Sequence, residues 1–305
     1  MCLSSHSGRS GSACRFNRFP RVACAAILLF SGCARQATQS DATRMRLVST
    51  APNLTECVFA VGAGDLLVGR TDSCDYPAEA MSRIAVTGGF ATPNLEPLLA
   101  ARPTHVLETV LADPDLKRRL DALHIPIMHV PCARLDEVPC AIRQIGALTS
   151  HSNEANRVAS KLCNGIDKAR MEAASQTAHP RVLLLFGSDT PITAGRHTFV
   201  SELLELAGGV NIGSGSNTDY YHISLEWLLT QDPDIILCLF SIPANDPVTL
   251  FENQTGWSAL SAVRLRRVYT VPDLDTVCRP GPRLLEGLAQ LKQVLSLDSG
   301  RPKSN

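Results

Sequence analysis

Residues 94–108 read NLEPLLAARPTHVLE, and 130 residues further on, 224–238 read SLEWLLTQDPDIILC. Laid over one another, the two segments share a leucine, a glutamate, a Leu-Leu pair, a proline and one further leucine, six matches at a single offset. A duplicated unit in two related halves accounts for that pattern. Each copy opens on a residue that can cap a short helix (Asn94, Ser224), and the acid two places on (Glu96, Glu226) falls in the first turn, where negative charge is favoured. Pro103 and Pro233 then stop the helices, and β-branched, apolar runs over 105–110 and 235–240 read as strands. A helix feeding a buried strand, twice over, is half of an α/β unit in each of two lobes.

Working outward from the first copy, RLVSTAP (46–52) predicts a strand and turn, with Asn53 or Thr55 capping the helix LTECVFAVG, which Gly62 and Gly64 end. LLVG (66–69) starts the next strand, and DYPAEA (75–80) is a turn entering a short helix. A helix over 114–123 and the strand IPIMHV (125–130) follow, and this alternation predicts a mainly parallel sheet. Residues 135–177 read as helical with a break near 150–153. The second part, 154–174, would span about 30 Å, long for one small lobe and suited to bracing two. RVLLLFG (181–187) is apolar almost throughout, as in a strand covered on both faces. SELLELAGGVNIG (201–213) predicts a helix with a glycine stop. A loop and helix around Trp257, the strand RRVYTVP and a terminal helix over 282–297 complete the chain.

The 305 residues allow about two domains. The composition, 45% hydrophobic and 19% charged, is that of a globular chain. Charge is balanced at 29 basic and 29 acidic residues, but residues 1–32 hold Arg9, Arg15, Arg18 and Arg21 and no acid, so the remainder has 25 against 29. A weakly acidic body argues against a nucleic-acid partner. The same 32 residues have the form of an export signal: a basic segment, the nine-residue apolar run VACAAILLF (22–30), then Ser31, Gly32 and Cys33. Nine residues are too few to cross a bilayer, which takes about 20. FSGC resembles the lipobox of bacterial lipoproteins, which implies that Cys33 becomes the lipidated first residue of the mature protein. Residues 34–44, polar throughout, then serve as a tether. Beyond Cys33 lie seven cysteines, an odd number with no CxxC. One or two disulfides, Cys132 with Cys140 being the nearest pair, and small buried hydrophobes are both open readings.

RLVSTAPNLTECVFAVGAGDLLVGRTDSCDYP, GGFATPNLEPLLAARPTHVL, RVLLLFGSDTPITAG, AGGVNIG, SLEWLLTQDPDIIL and RPGPRLLEGL together resemble the solute-binding receptors of the cobalamin and iron-siderophore ABC importers, most closely the cobalamin-binding branch. The resemblance runs in order from residue 46 to 297. It implies an α/β fold of two Rossmann-like lobes with mainly parallel sheets joined by a single long backbone helix. The N-terminal lobe would take 46–150, the helix 151–178 and the C-terminal lobe 179–298, with a tail over 299–305. A ligand is clamped between the lobes with modest closure, and the loaded monomer docks on an ABC permease dimer with its ATPase subunits. No cofactor, metal or catalytic residue is implied. The transported ligand is a corrinoid, cobalamin first.

Residue by residue, the resemblance gives Glu96 and Glu226 the role of meeting basic pockets on the two permease subunits; otherwise each is a favourable first-turn acid. Phe90 and Tyr220, six residues before those acids, would lay rings against the corrin, or else pack in a core. Asp275 and Arg279 would hydrogen-bond ligand amides, or Arg279 would hold its own loop to Asp275. Ser73 and Ile192 stand where the cobalamin receptor has further aromatics. Tyr76, Tyr221, His222 and Trp257 are further cleft candidates. The histidines at 105, 124, 129, 151, 179, 197 and 222 lack metal-ligand spacing, and no GxSxG, HExxH or Walker loop occurs. A haem or ferric-siderophore receptor is the alternative within the family. A surface lipoprotein with an enzymatic or scaffolding role is the alternative outside it. The expected location is the bacterial envelope, lipid-anchored and facing the periplasm or exterior.

Overall fold

The computed structural model describes residues 44–90, 92–110, 114–242 and 246–299. The expected signal segment, Cys33 with nearly all of its tether, and the tail after Ser299 lie outside the described residues. Among the described residues, no helix is long and apolar enough to cross a membrane.

The first half runs β1 (Leu47–Ser49), α1 (Pro52–Ala60), β2 (Leu67–Arg70), α2 (Ala78–Met81), β3 (Ala85–Val86), β4 (Gly88–Gly89), β5 (Thr92–Pro93), α3 (Leu95–Ala100), β6 (His105–Glu108), α4 (Pro114–Ala122), β7 (Ile127–His129) and α5 (Glu137–Leu148). Its sheet has the order β3-β2-β1-β6-β7 with every pairing parallel, and β4 and β5 form a separate antiparallel ribbon. After α6 (Ser152–Ala174) come β8 (Arg181–Leu185), β9 (Ile192–Ala194), α7 (Phe199–Ala207), β10 (Val210–Asn211), β11 (Tyr220–His222), α8 (Leu225–Gln231), β12 (Ile235–Cys238), α9 (Ser261–Arg264), β13 (Val268–Tyr269), α10 (Leu274–Cys278) and α11 (Leu284–Ser299). The second sheet, β10-β8-β12-β13, is also parallel, with β9 and β11 paired antiparallel beside it. The order β2-β1-β6-β7 is thus repeated as β10-β8-β12-β13, and the two copies of the repeat, α3–β6 and α8–β12, occupy equivalent places.

Both copies start as their sequences predict. The Asn94 side chain accepts from the Glu96 amide at 3.1 Å, and the Ser224 hydroxyl accepts from the Trp227 amide at 3.1 Å. The endings differ in detail from a plain proline stop. Each chain turns on a left-handed residue directly before the proline, Arg102 (φ 48°) and Asp232 (φ 38°). Asn53 and Thr55 do not cap α1. Ala51 holds the cap position and Pro52 starts the helix, where its missing N–H costs nothing. No disulfide forms among the described residues, where the seven cysteines beyond Cys33 are free, with Cys132 buried and Cys140 exposed on α5.

Alternation along the strands sorts the core. Leu47 and Leu107 of the first sheet, with Val182, Leu184, Ile235 and Leu237 of the second, face one cluster. Their neighbours Val48 and Val106 face α3 and α4, and Leu183, Leu185 and Ile236 face α8 and α9. The first cluster is continuous through both lobes. α6, 23 residues and about 34 Å long, contributes Ala155, Ala159, Leu162, Ile166 and Ala169, spaced four and three apart as on one helix face. α5 lies so close to α6 that a Cβ on Gly146 would come within 2.1 Å of the Ala155 Cβ. A brace embedded in a shared core leaves the lobes little freedom to swing apart.

Candidate functional site

A cavity of about 490 Å³ opens where the two halves face each other. Its N-terminal wall follows the carboxyl ends of parallel strands: Pro52 and Asn53 after β1, Thr109 and Val110 after β6, Cys132 and Ala133 after β7. Parallel α/β sheets leave their crevices at those ends. Residues 109–110, expected in the strand, therefore leave it early and line the cavity.

Each half adds an aromatic ring on a short ribbon just ahead of its repeat helix. Phe90 sits in the turn joining β4 to β5, and Tyr220 begins β11; both line the cavity and both are 50% exposed. That exposure rules out core packing. The Phe90 turn depends on Gly88 (φ 136°), where a Cβ would lie 2.6 Å from the Asn94 amide nitrogen. Phe186 meets Tyr220 edge-on with ring centroids 5.3 Å apart and holds it in place. Burial in the cleft, with Cys278 and Asp219 adding to it, pushes the Tyr220 hydroxyl up to about 12, so it stays a neutral donor. Ser73 and Arg279 line the cavity as well. Ile192 does not. It lies on the Tyr220 face of the ribbon, two residues back along β9 from Ala194, the partner of Tyr220, and so is displaced by about 7 Å.

Arg279 joins the halves. It reaches Asp75 at 2.6 Å and the Ser73 carbonyl at 3.3 Å in the first half, and Asp275 at 2.9 Å in its own. Behind it Arg283 makes two hydrogen bonds to Glu56, at 2.8 and 2.9 Å, and one to Asp273 at 2.9 Å, and lies 4.3 Å over the Tyr76 ring. Asn53, free of capping, donates to the Pro280 carbonyl at 3.0 Å. The cleft floor is thus cross-linked between the two halves. Glu56, Asp273 and Arg283 escaped the sequence reading. The only local trace is the spacing of acids at 273 and 275 and arginines at 279 and 283, since Glu56 lies 227 residues from Arg283. Tyr76, Tyr221, His222 and Trp257 stay off the cavity; Trp257 packs on Phe251 at 4.6 Å in the core.

Burial works against the ionised form of both floor aspartates, but the outcomes differ. At Asp75 burial is the largest single effect, but hydrogen bonds from Arg279 and Asp275 together with the Arg279 charge outweigh it and hold that carboxyl below its ordinary value. Asp275 is pushed up to about 6, by burial and then by the Asp75 carboxyl beside it. A raised carboxyl contributes stability at low pH that is lost as pH rises through about 6, and a lowered one contributes above its ordinary value and is lost on acidification. Asp275→Asn is therefore expected to keep or raise the thermal midpoint at neutral pH and flatten its slope between about pH 4 and 6. Asp75→Asn is expected to lower the midpoint. A pH series of melting curves checks both; equal losses would contradict the assignment.

Glu96 and Glu226 are exposed on the first turns of α3 and α8, and neither carboxylate has a hydrogen-bond or ion-pair partner among the described residues. No group of three or more His, Cys, Asp or Glu able to hold a metal occurs among the described residues.

A family model described as "Periplasmic binding protein" matches residues 47–274. The "Vitamin B12-binding protein" of Pectobacterium carotovorum subsp. carotovorum (strain PC1) is 31% identical over 268 residues, covering 86% of this chain and 93% of its own. Among solved structures, the periplasmic vitamin B12 binding protein BtuF of Vibrio cholerae superposes with a TM-score of 0.72 at 25% identity, covering 84% of this chain and 98% of its own. The periplasmic heme-binding protein RhuT from Roseiflexus sp. RS-1, in apo form, superposes with a TM-score of 0.73 at 25% identity, covering 84% and 99%.

Proposed function

The chain belongs to the periplasmic binding protein family, whose members are substrate-binding proteins and not enzymes, and from that premise we propose that it captures a corrinoid, cobalamin first, and delivers it to the permease of an ABC importer. The enzymatic alternative gives way to that membership. One observation carries the choice of ligand: two half-exposed aromatic rings, Phe90 and Tyr220, rise from equivalent ribbons of the two halves into one cavity. A flat macrocycle needs broad apolar walls, and its peripheral amides need a few polar anchors, here Arg279 with Asp275 behind it and Ser73 at the edge. The relative named for vitamin B12 binding supports the same reading, while haem remains the competing macrocycle through RhuT.

Glu96 and Glu226 are the docking carboxylates for the two permease subunits in this reading. Once the N-terminal signal is removed, lipidated Cys33 anchors the mature protein to the envelope membrane, with residues 34–44 as the tether. Calorimetric titration of the full chain with cyanocobalamin, haemin and ferric siderophores tests the ligand. Cyanocobalamin is expected to bind, and Phe90→Ala with Tyr220→Ala to weaken it by about 100-fold, each ring contributing about 0.5–1.5 kcal/mol in addition to its lost apolar area. Binding of haemin or a siderophore with no binding of corrinoid below about 10 μM, some 7 kcal/mol, would overturn the assignment.

A further inference from the structure

We propose that His197 is an axial ligand for the metal of the bound macrocycle, so that the cleft accepts corrinoids whose cobalt carries an exchangeable water; this rests on the macrocycle reading above. His197 lines the cavity, is exposed to it, and has no hydrogen-bond, ion-pair or ring partner among the described residues. Its place is set from both sides. Thr198 caps α7 by accepting from the Ser201 amide and donates to the Gly195 carbonyl at 3.0 Å, and the Gly195 amide is tied to the Asp219 carbonyl at 2.8 Å. The imidazole therefore stands on the wall that carries Tyr220, with the Asp219 carboxylate lining the same cavity.

The other donors that line the cavity are occupied or protonated. Asn53 and Cys132 donate to the Pro280 carbonyl. Thr198 is spent on its cap, and Arg279 has no lone pair to give. Tyr220 and Cys278 carry their protons at neutral pH even in water, and burial strengthens that hold. Beside the small hydroxyls, the His197 imidazole and the Asp219 carboxylate remain without a side-chain partner among the described residues. Imidazole is the better donor for the later first-row metals, whereas a carboxylate suits harder ions.

The test compares diaquocobinamide, whose two axial waters exchange, with cyanocobalamin, whose axial positions are filled. Bound to the full chain, diaquocobinamide is expected to show the visible-band shift of nitrogen coordination. His197→Ala should abolish that shift and weaken diaquocobinamide at least about tenfold, and by more than it weakens cyanocobalamin, whose cobalt has no position to give. His197→Gln, which keeps size and polarity, should behave like the alanine variant. Diaquocobinamide binding with an unchanged spectrum, or equal losses for both corrinoids, overturns the proposal and leaves the corrinoid reading standing. Failure of both corrinoids to bind wild type overturns both.

Discussion

Arg283→Met is expected to destabilise the protein by about 3–5 kcal/mol, on the order of 10 °C in Tm. The reason is what the substitution leaves behind. Glu56 is 3% exposed, and its two carboxylate oxygens are each held by an Arg283 nitrogen within 2.9 Å. With the guanidinium gone, the nearest cation is Arg279 at 3.6 Å, already engaged by Asp75 and Asp275. A buried carboxylate stripped of its partner bears its full desolvation cost. Arg283→Lys is expected to fall between, because an ammonium cannot form the paired, parallel contacts of a guanidinium fork. Glu56→Gln combined with Arg283→Met should recover much of the loss, since removing both charges of a buried pair is far less costly than removing one. Denaturant unfolding of the four proteins checks this, and a loss under about 1 kcal/mol in the single Arg283→Met variant would mean that water reaches Glu56. Because Glu56 belongs to α1 and Arg283 precedes α11, the same variants should also loosen the cleft floor and weaken ligand binding.

The second large effect concerns delivery and not capture. Glu96→Ala with Glu226→Ala is expected to leave ligand affinity within about twofold and to abolish stimulation of the partner transporter. Close charge pairs across an interface couple by about 1.5–7 kcal/mol, so the loss of two exceeds 100-fold. Each single variant should keep part of the association, because the acids sit at equivalent places in two related halves and, in the proposed docking, each would meet its own permease subunit. Within the chain the acids do little beyond favouring their helix starts, by about 0.3–1 kcal/mol each, so the double variant should fold and melt only slightly earlier. Transporter stimulation in reconstituted vesicles is the measurement, and normal stimulation by the double variant would remove the docking role.

Much of this architecture can be read from short-range pattern. The caps at Asn94 and Ser224, the turns before Pro103 and Pro233 and the apolar stripe of α6 are interactions over four residues or fewer, and such interactions leave their spacing in the chain. The duplication doubles the signal, which is why two related halves with mainly parallel sheets were expected; the equivalence of their strand orders is seen only in the structure. Where the expectation failed, a packing or hydrogen-bond partner outside the residue's own helix or turn had prior claim on it. Asn53 looks like a cap and instead reaches Pro280; Trp257 looks like a cleft aromatic and instead fills the space beside Phe251.

The chain's own order of residues was enough to establish two α/β halves, the helix that braces them and the family they form, because all three rest on local periodicity and on motifs held in sequence. It also singled out Glu96 and Glu226 through the repeat that contains them, and Phe90 and Tyr220 through the family resemblance. Folding alone determined that Phe90 and Tyr220 share one cavity, that Ile192 misses it, that His197 faces it unpartnered, and that Arg279 and Arg283 tie its floor to Asp75 and Glu56. Those outcomes depend on the ends of strands and helices lying 100 to 227 residues apart in the chain, where no spacing rule connects one residue to the other. Only the packing of both sheets around one continuous core brings them within hydrogen-bonding distance.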